Sequence, residues 1–191
     1  MKRIIVLIGL LLLMVLISFG QSNLVIVKDT ASILRQHNVT AYTAGDVIAN
    51  DTSGAVSTKM FVFNKAFRSE GGSGLLRAVL IQTDTVSVTN GTLRLFIYSD
   101  STNAGIIYDN GANAVSIQQM DSCEGFVDFT LEITGSGSGT TGFDYVILTD
   151  PMPVYAEDGS QKLFGRLTAT AAWVPKHNGH IKITLFIDQN E

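Results

Sequence analysis

The chain has 191 residues, 46 % of them hydrophobic and 16 % charged, with a formal net charge of −4. That length suits one well-cored domain, and the lack of any basic block excludes the clustered cationic surface that non-specific nucleic-acid binding needs. The single cysteine, Cys123, excludes an intramolecular disulfide or a thiolate cluster and reads as a small buried side chain.

Lys2 and Arg3 precede the apolar run IIVLIGLLLLMVLISFG, and no charge recurs until Lys28. A positive start followed by an apolar stretch is the composition of an export signal, with the small residues of SFGQS offering cleavage after Gly20 or Gln21. Uncut, the same run is long enough to cross a bilayer as an anchor helix. Either way the positive-inside rule places the residues after Ser22 on the far side of the inner membrane. The expected boundaries are 1–22 for a signal peptide or membrane anchor and 23–191 for a folded domain.

Past residue 23 the pattern changes from continuous apolar to alternating. TKMFVFNKAF (58–67), LLRAVLIQT (75–83) and TLRLFIYS (92–99) are strand candidates, rich in β-branched and aromatic residues. FVDFTLEIT (126–134) puts Val127, Phe129, Leu131 and Ile133 on one face and Asp128, Thr130, Glu132 and Thr134 on the other. FDYVILT (143–149) and KLFGRLTATAAWV (162–174) come next. HIKITLFID (180–188) repeats the alternation with Ile181, Ile183, Leu185 and Ile187. Between these runs lie NGT, DNGAN, GSGSGTTG, EDGS and HNGH, which are turn compositions. No stretch after the leader carries a capped helical period. The predicted fold is all-β: an antiparallel β-sandwich or jelly-roll-like single domain behind an N-terminal export or anchor helix.

The stretch SEGGSGLLRAVLIQTD (69–84) admits a second reading, a glycine-rich phosphate cradle opening a helix. A nucleotide-hydrolase loop needs Lys and Ser or Thr just after its last glycine, whereas Gly74 is followed by Leu75 and Leu76. The glycines at 71, 72 and 74 fit a tight corner feeding a buried strand.

Taken together, AYTAGDVIA (41–49), GGSGLLRAVLI (71–81), LRLFIYSD (93–100), YDNGANAVS (108–116), LFGRLTATAAWVP (163–175) and HIKITLFIDQ (180–189) form a series in a particular order. That order resembles small bacteriophage-encoded β-sandwich proteins of the uncharacterised or minor virion structural type, over about residues 38 to 189. Ser101 and Thr102 stand where that pattern has a proline. The resemblance implies a virion structural role and transfers no catalytic residues. Combined with the leader, it implies either a sandwich anchored in the membrane of a virus or a host surface protein built on a phage-like sandwich.

Candidate chemistry is sparse. His177 and His180 have the spacing of two metal ligands on a turn, but a structural zinc needs two more, and His37 and Cys123 lie far off in sequence. Calcium is the more natural ion for such loops: Asp100 with Asn103, Asp109 with Asn110, and Glu157 with Asp158 offer oxygen ligands without the dense Asp-x-Asp-x-Asp-Gly pattern. No cofactor is expected. GSGSG (135–139) matches a nucleophile elbow literally but sits between two strands, where a hairpin tip is expected. Asn38, Asn50 and Asn90 begin sequon-like triplets that read as turn residues followed by β-favouring threonine. Tyr155, Trp173 and Phe186 are the residues proposed for an interface or binding face.

The sequence therefore leads to a non-enzymatic virion structural or surface component, acting by self-assembly and contacts with other virion or surface proteins. Low charge on nominally outward strand faces suits a homo-oligomer. The alternative is a secreted or envelope-anchored bacterial binding module for carbohydrate or a surface partner, with a hydrolase third.

Overall fold

A computed structural model describes residues 24–34, 41–49, 60–84, 91–101, 109, 111–113, 117–134, 141–157, 159–174 and 179–190. Residues 1–23, His37, His177, the calcium-ligand candidates Asn103, Asn110 and Asp158, the GSGSG stretch and the three sequon asparagines lie outside these residues. Among the described residues no helix is long and apolar enough to cross a membrane.

The described residues form ten strands: β1 (Leu24–Leu34), β2 (Val47–Ile48), β3 (Phe61–Phe63), β4 (Ser73–Asp84), β5 (Thr92–Tyr98), β6 (Cys123–Thr130), β7 (Glu132–Thr134), β8 (Thr141–Tyr155), β9 (Leu163–Ala169) and β10 (His180–Asn190). All the pairings are antiparallel. One sheet runs β1-β10-β4-β8-β7, and the other runs β2-β9-β5-β6 with β3 also paired to β9. Counting β2 and β3 as one interrupted strand along β9 and leaving aside β7, a short edge strand that pairs antiparallel with β8, the first sheet takes strands one, eight, three and six, and the second takes two, seven, four and five. Chain neighbours thus fall in opposite sheets except at the central hairpin, which is the double Greek key of a jelly roll.

The core is the space between the two sheets. Ile33, Ile183, Ile81 and Val79 from the first sheet meet Leu93, Leu95, Leu167, Val127 and Phe129 from the second, all buried. Alternation produces this directly, because each strand offers every second side chain to one inner face.

The glycine-rich stretch is a corner. Gly71 has φ +64°, and β4 starts at Ser73, so Leu75 lies in a strand. A Cβ on Gly74 would sit 2.6 Å from the Asp188 carbonyl oxygen and 2.6 Å from Ile187 Cγ2, so only glycine lets β4 approach β10 here.

Two details differ from the sequence reading. FVDFTLEIT is two strands, not one: β6 belongs to the second sheet and β7 to the first. Val127, Phe129 and Leu131 are nevertheless all buried. The corner falls at Leu131, whose N–H donates to Gly91 O at 2.8 Å, and both sheets face one core, so the period survives the crossing. The second difference is one helical turn, α1 (Ile117–Met120), within the connection from β5 to β6.

Candidate functional site

The landmarks of the sequence meet at one end of the sandwich. Tyr42 and Trp173 form an isolated antiparallel bridge, with Tyr42 N–H donating to Trp173 O at 2.8 Å. Their rings stack at 5.7 Å between centroids with planes 8° apart. Next to them Asp46 accepts from Thr43 Oγ1 at 2.8 Å, Gly45 takes φ +92°, and Gly45 N–H donates to Ala169 O at 2.8 Å. Asp109 accepts from Tyr42 Oη at 2.6 Å and from Ala49 N–H at 2.9 Å, strapping the β5–β6 connection to the residues on either side of β2. Tyr-x-x-Gly-Asp-Val is therefore a folding corner, and Asp109 is occupied as an acceptor within it.

This arrangement places Trp173 inside the fold. The side chain is 1 % exposed and belongs to the core, because the bridge turns both rings inward. Tyr155 is 53 % exposed at the end of β8, and Phe186 lies half-buried on the outside of the first sheet. The fold does not bring the three onto one face.

His180 donates its backbone N–H to Asp84 Oδ2 at 3.1 Å, and its Nδ1 lies 3.4 Å from the same oxygen, which ties the start of β10 to the end of β4. Among the described residues, no three His, Cys, Asp or Glu side chains come together as a metal site.

The outer face of the second sheet is largely satisfied by its own residues. Arg94 bonds both oxygens of Asp128, at 2.6 and 2.8 Å, and its guanidinium stands 4.0 Å from the Phe126 ring centroid. Arg166 is 3 % exposed; its Nη1 donates to Asn113 Oδ1 at 3.1 Å and its guanidinium stands 5.3 Å from the Tyr98 ring centroid. Burial lowers the Arg166 pKa and raises those of Tyr98 and Cys123 beside it, and of Glu124 next to Cys123. The Cys123 thiol points back at Gly125 O, 3.6 Å away. Burial raises the Cys123 pKa and leaves less thiolate near neutrality, so Cys123 should label with a maleimide at pH 7.5 more slowly in folded protein than in urea. Equal rates would place the thiol in open solvent.

The outer face of the first sheet is different. Strand register lines up its outward side chains in rows. One row is Lys28, Phe186, Ala78 and Ile147; the next is Thr30, Thr184, Leu80 and Tyr145; a third is Ser32, Lys182, Gln82, Phe143 and Glu132. Ile147 is 69 % exposed, Tyr145 48 % and Ile26, one row further along, 60 %. Phe186 packs edge-on against Tyr145 at 5.6 Å and lies under the Lys28 ammonium at 5.1 Å. These residues form a continuous apolar strip across β10, β4 and β8 with few polar interruptions. It has the composition of a contact surface rather than a reaction centre. Sequence reasoning did not point to Tyr145 or Ile147. Their signal was present in FDYVILT, where Tyr145 and Ile147 alternate with Val146 and Leu148, so both faces of that strand are apolar.

No family model and no curated protein matches the chain. Solved structures similar to it include the capsid of Ralstonia phage GP4, at 18 % identity and a TM-score of 0.39, covering 90 % of this chain and 88 % of that one. The Cyanophage Pam1 capsid asymmetric unit is similar at 12 % identity and a TM-score of 0.31, covering 89 % and 88 %. Desmodium yellow mottle tymovirus is similar at 12 % identity and a TM-score of 0.31, covering 90 % and 91 %. These neighbours are virus and capsid structures.

Proposed function

We propose that the chain is a non-enzymatic, phage-type virion structural or surface component that works by self-assembly and subunit contacts. The observation that carries this is the apolar outer face of the β1-β10-β4-β8-β7 sheet, with Ile147, Tyr145 and Ile26 in solvent beside half-buried Phe186. An isolated soluble domain gains nothing from keeping such side chains in water, whereas a subunit buries them on assembly. The two-sheet topology suits the same role, since its paired strands form a stiff slab with broad outer faces. The order of landmarks shared with small phage-encoded sandwiches supports the reading from the sequence side. On this reading the apolar leader carries the domain to, or holds it at, a membrane.

The carbohydrate-module alternative loses its aromatic platform, since Trp173 is in the core. Mass spectrometry of purified virus particles from cultures of the encoding host tests the proposal. The chain is expected among the particle proteins in stoichiometric amounts; particles that are complete and infectious without it would end the virion reading.

A further inference from the structure

The outward charges of the first sheet are not evenly spread. Lys28 on β1 and Lys182 on β10 are exposed on one flank, and Glu132 on β7 is exposed on the other. Between them runs the apolar strip, centred on β4, the middle strand of five. Asp188 and Asp84 sit on the same face but are engaged, by Arg77 Nε at 2.5 Å and by the His180 backbone N–H at 3.1 Å respectively. Such a face, basic on one side and acidic on the other, is complementary to itself when turned over about an axis parallel to its strands.

Resting on the assembly reading above, we propose that two copies stack these faces about a two-fold axis lying in the interface along β4. This operation sets β10 of one copy over β8 of the other and β1 over β7. Ile147 then meets Phe186 of the second copy, Tyr145 meets Thr184, Leu80 and Ala78 meet themselves, and Lys182 comes beside Glu132. A two-fold axis across the strands would instead gather the lysine flanks of both copies together, and like charges across an interface disfavour it. Four strands of nine residues and the three-residue β7, at about 4.8 Å spacing and about 3.4 Å rise, give a flat face of roughly 640 Å². Side-chain relief raises that toward the ~800 Å² per partner of a stable interface. Aligned sheet stacking at about 10 Å is the ordinary way for such faces to pack.

The test is sedimentation velocity on the full chain in mild detergent across a concentration series. The wild type is expected to dimerise, and Ile147→Lys should weaken the dimer by on the order of 30-fold, as loss of a central apolar contact does. Ile147 is mostly in solvent in a single copy, so its replacement should leave the thermal transition unchanged at concentrations where the protein is monomeric; Tyr145→Glu serves as a second variant should the first fail to fold. Glu132→Lys should weaken association, and adding Lys182→Glu in the same chain should restore it. A wild type that stays monomeric, a dimer indifferent to both apolar variants, or a charge swap without rescue would each overturn the proposal. Presence in particles together with a monomeric protein would remove this stacking and leave the virion reading standing. An Ile147-sensitive dimer that is absent from particles would do the reverse.

Discussion

Replacing Trp173 with alanine should destabilise the domain by about 3–5 kcal/mol, the usual cost of emptying a buried indole site. For a domain of this size that corresponds to a fall in Tm of roughly 6–20 °C. The effect comes from a single place. Trp173 is 1 % exposed, stacks on Tyr42, and forms with it the backbone bridge that closes one end of the sandwich. Alanine would leave a cavity against Tyr42 and remove the ring beside Gly91, whose own Cβ would lie only 2.7 Å from Trp173 Cδ1. Phenylalanine should cost less than half as much, because the indole N–H finds no acceptor among the described residues and its removal relieves an unpaired donor. Thermal unfolding of the two variants separates these contributions. An alanine variant as stable as the parent would mean that the ring stands in solvent, and the sugar-platform reading would return.

Gly74→Val should be nearly as damaging, by about 3 kcal/mol, through overpacking rather than cavity formation. β4 crosses β10 here with Leu75 opposite Asp188 and Leu76 opposite Ile187, beside an irregularity between Phe186 and Ile187. The new side chain would press on a backbone carbonyl at 2.6 Å, which cannot swing aside as a flexible side chain would. The neighbouring Ser73→Val, at an exposed position, is the control and should stay within about 0.5 kcal/mol of the parent. Urea titration of both variants reads the difference. Equal midpoints would show that β4 and β10 are not in this register.

How much of the fold and the site is legible in the sequence depends on the range of the interaction concerned. The inner faces of β6 and β10 come from alternation alone, since a half-buried strand must place every second residue inward whatever it pairs with. The corner before β4 is legible for the same local reason: a glycine run followed by Leu75 and Leu76 lacks the lysine and hydroxyl of a phosphate loop. The candidate site is less visible. Phe186 could be named, but its partners could not, because Tyr145 and Ile147 reach it only through β4, which lies between β8 and β10.

By itself, then, the sequence determined that the chain would pleat, where it would bend, and which side chains share a face of each strand, because all three depend on residues a few positions apart. Tertiary structure alone decided that FVDFTLEIT divides between two sheets, that Trp173 turns inward against Tyr42, and that the apolar side of β8 is left in solvent. Those outcomes depend on pairings such as Thr30 with Thr184, whose hydroxyls meet at 2.9 Å across 154 residues of chain. A period of two specifies two faces for a strand; which face finds a second sheet is settled only when distant strands come together.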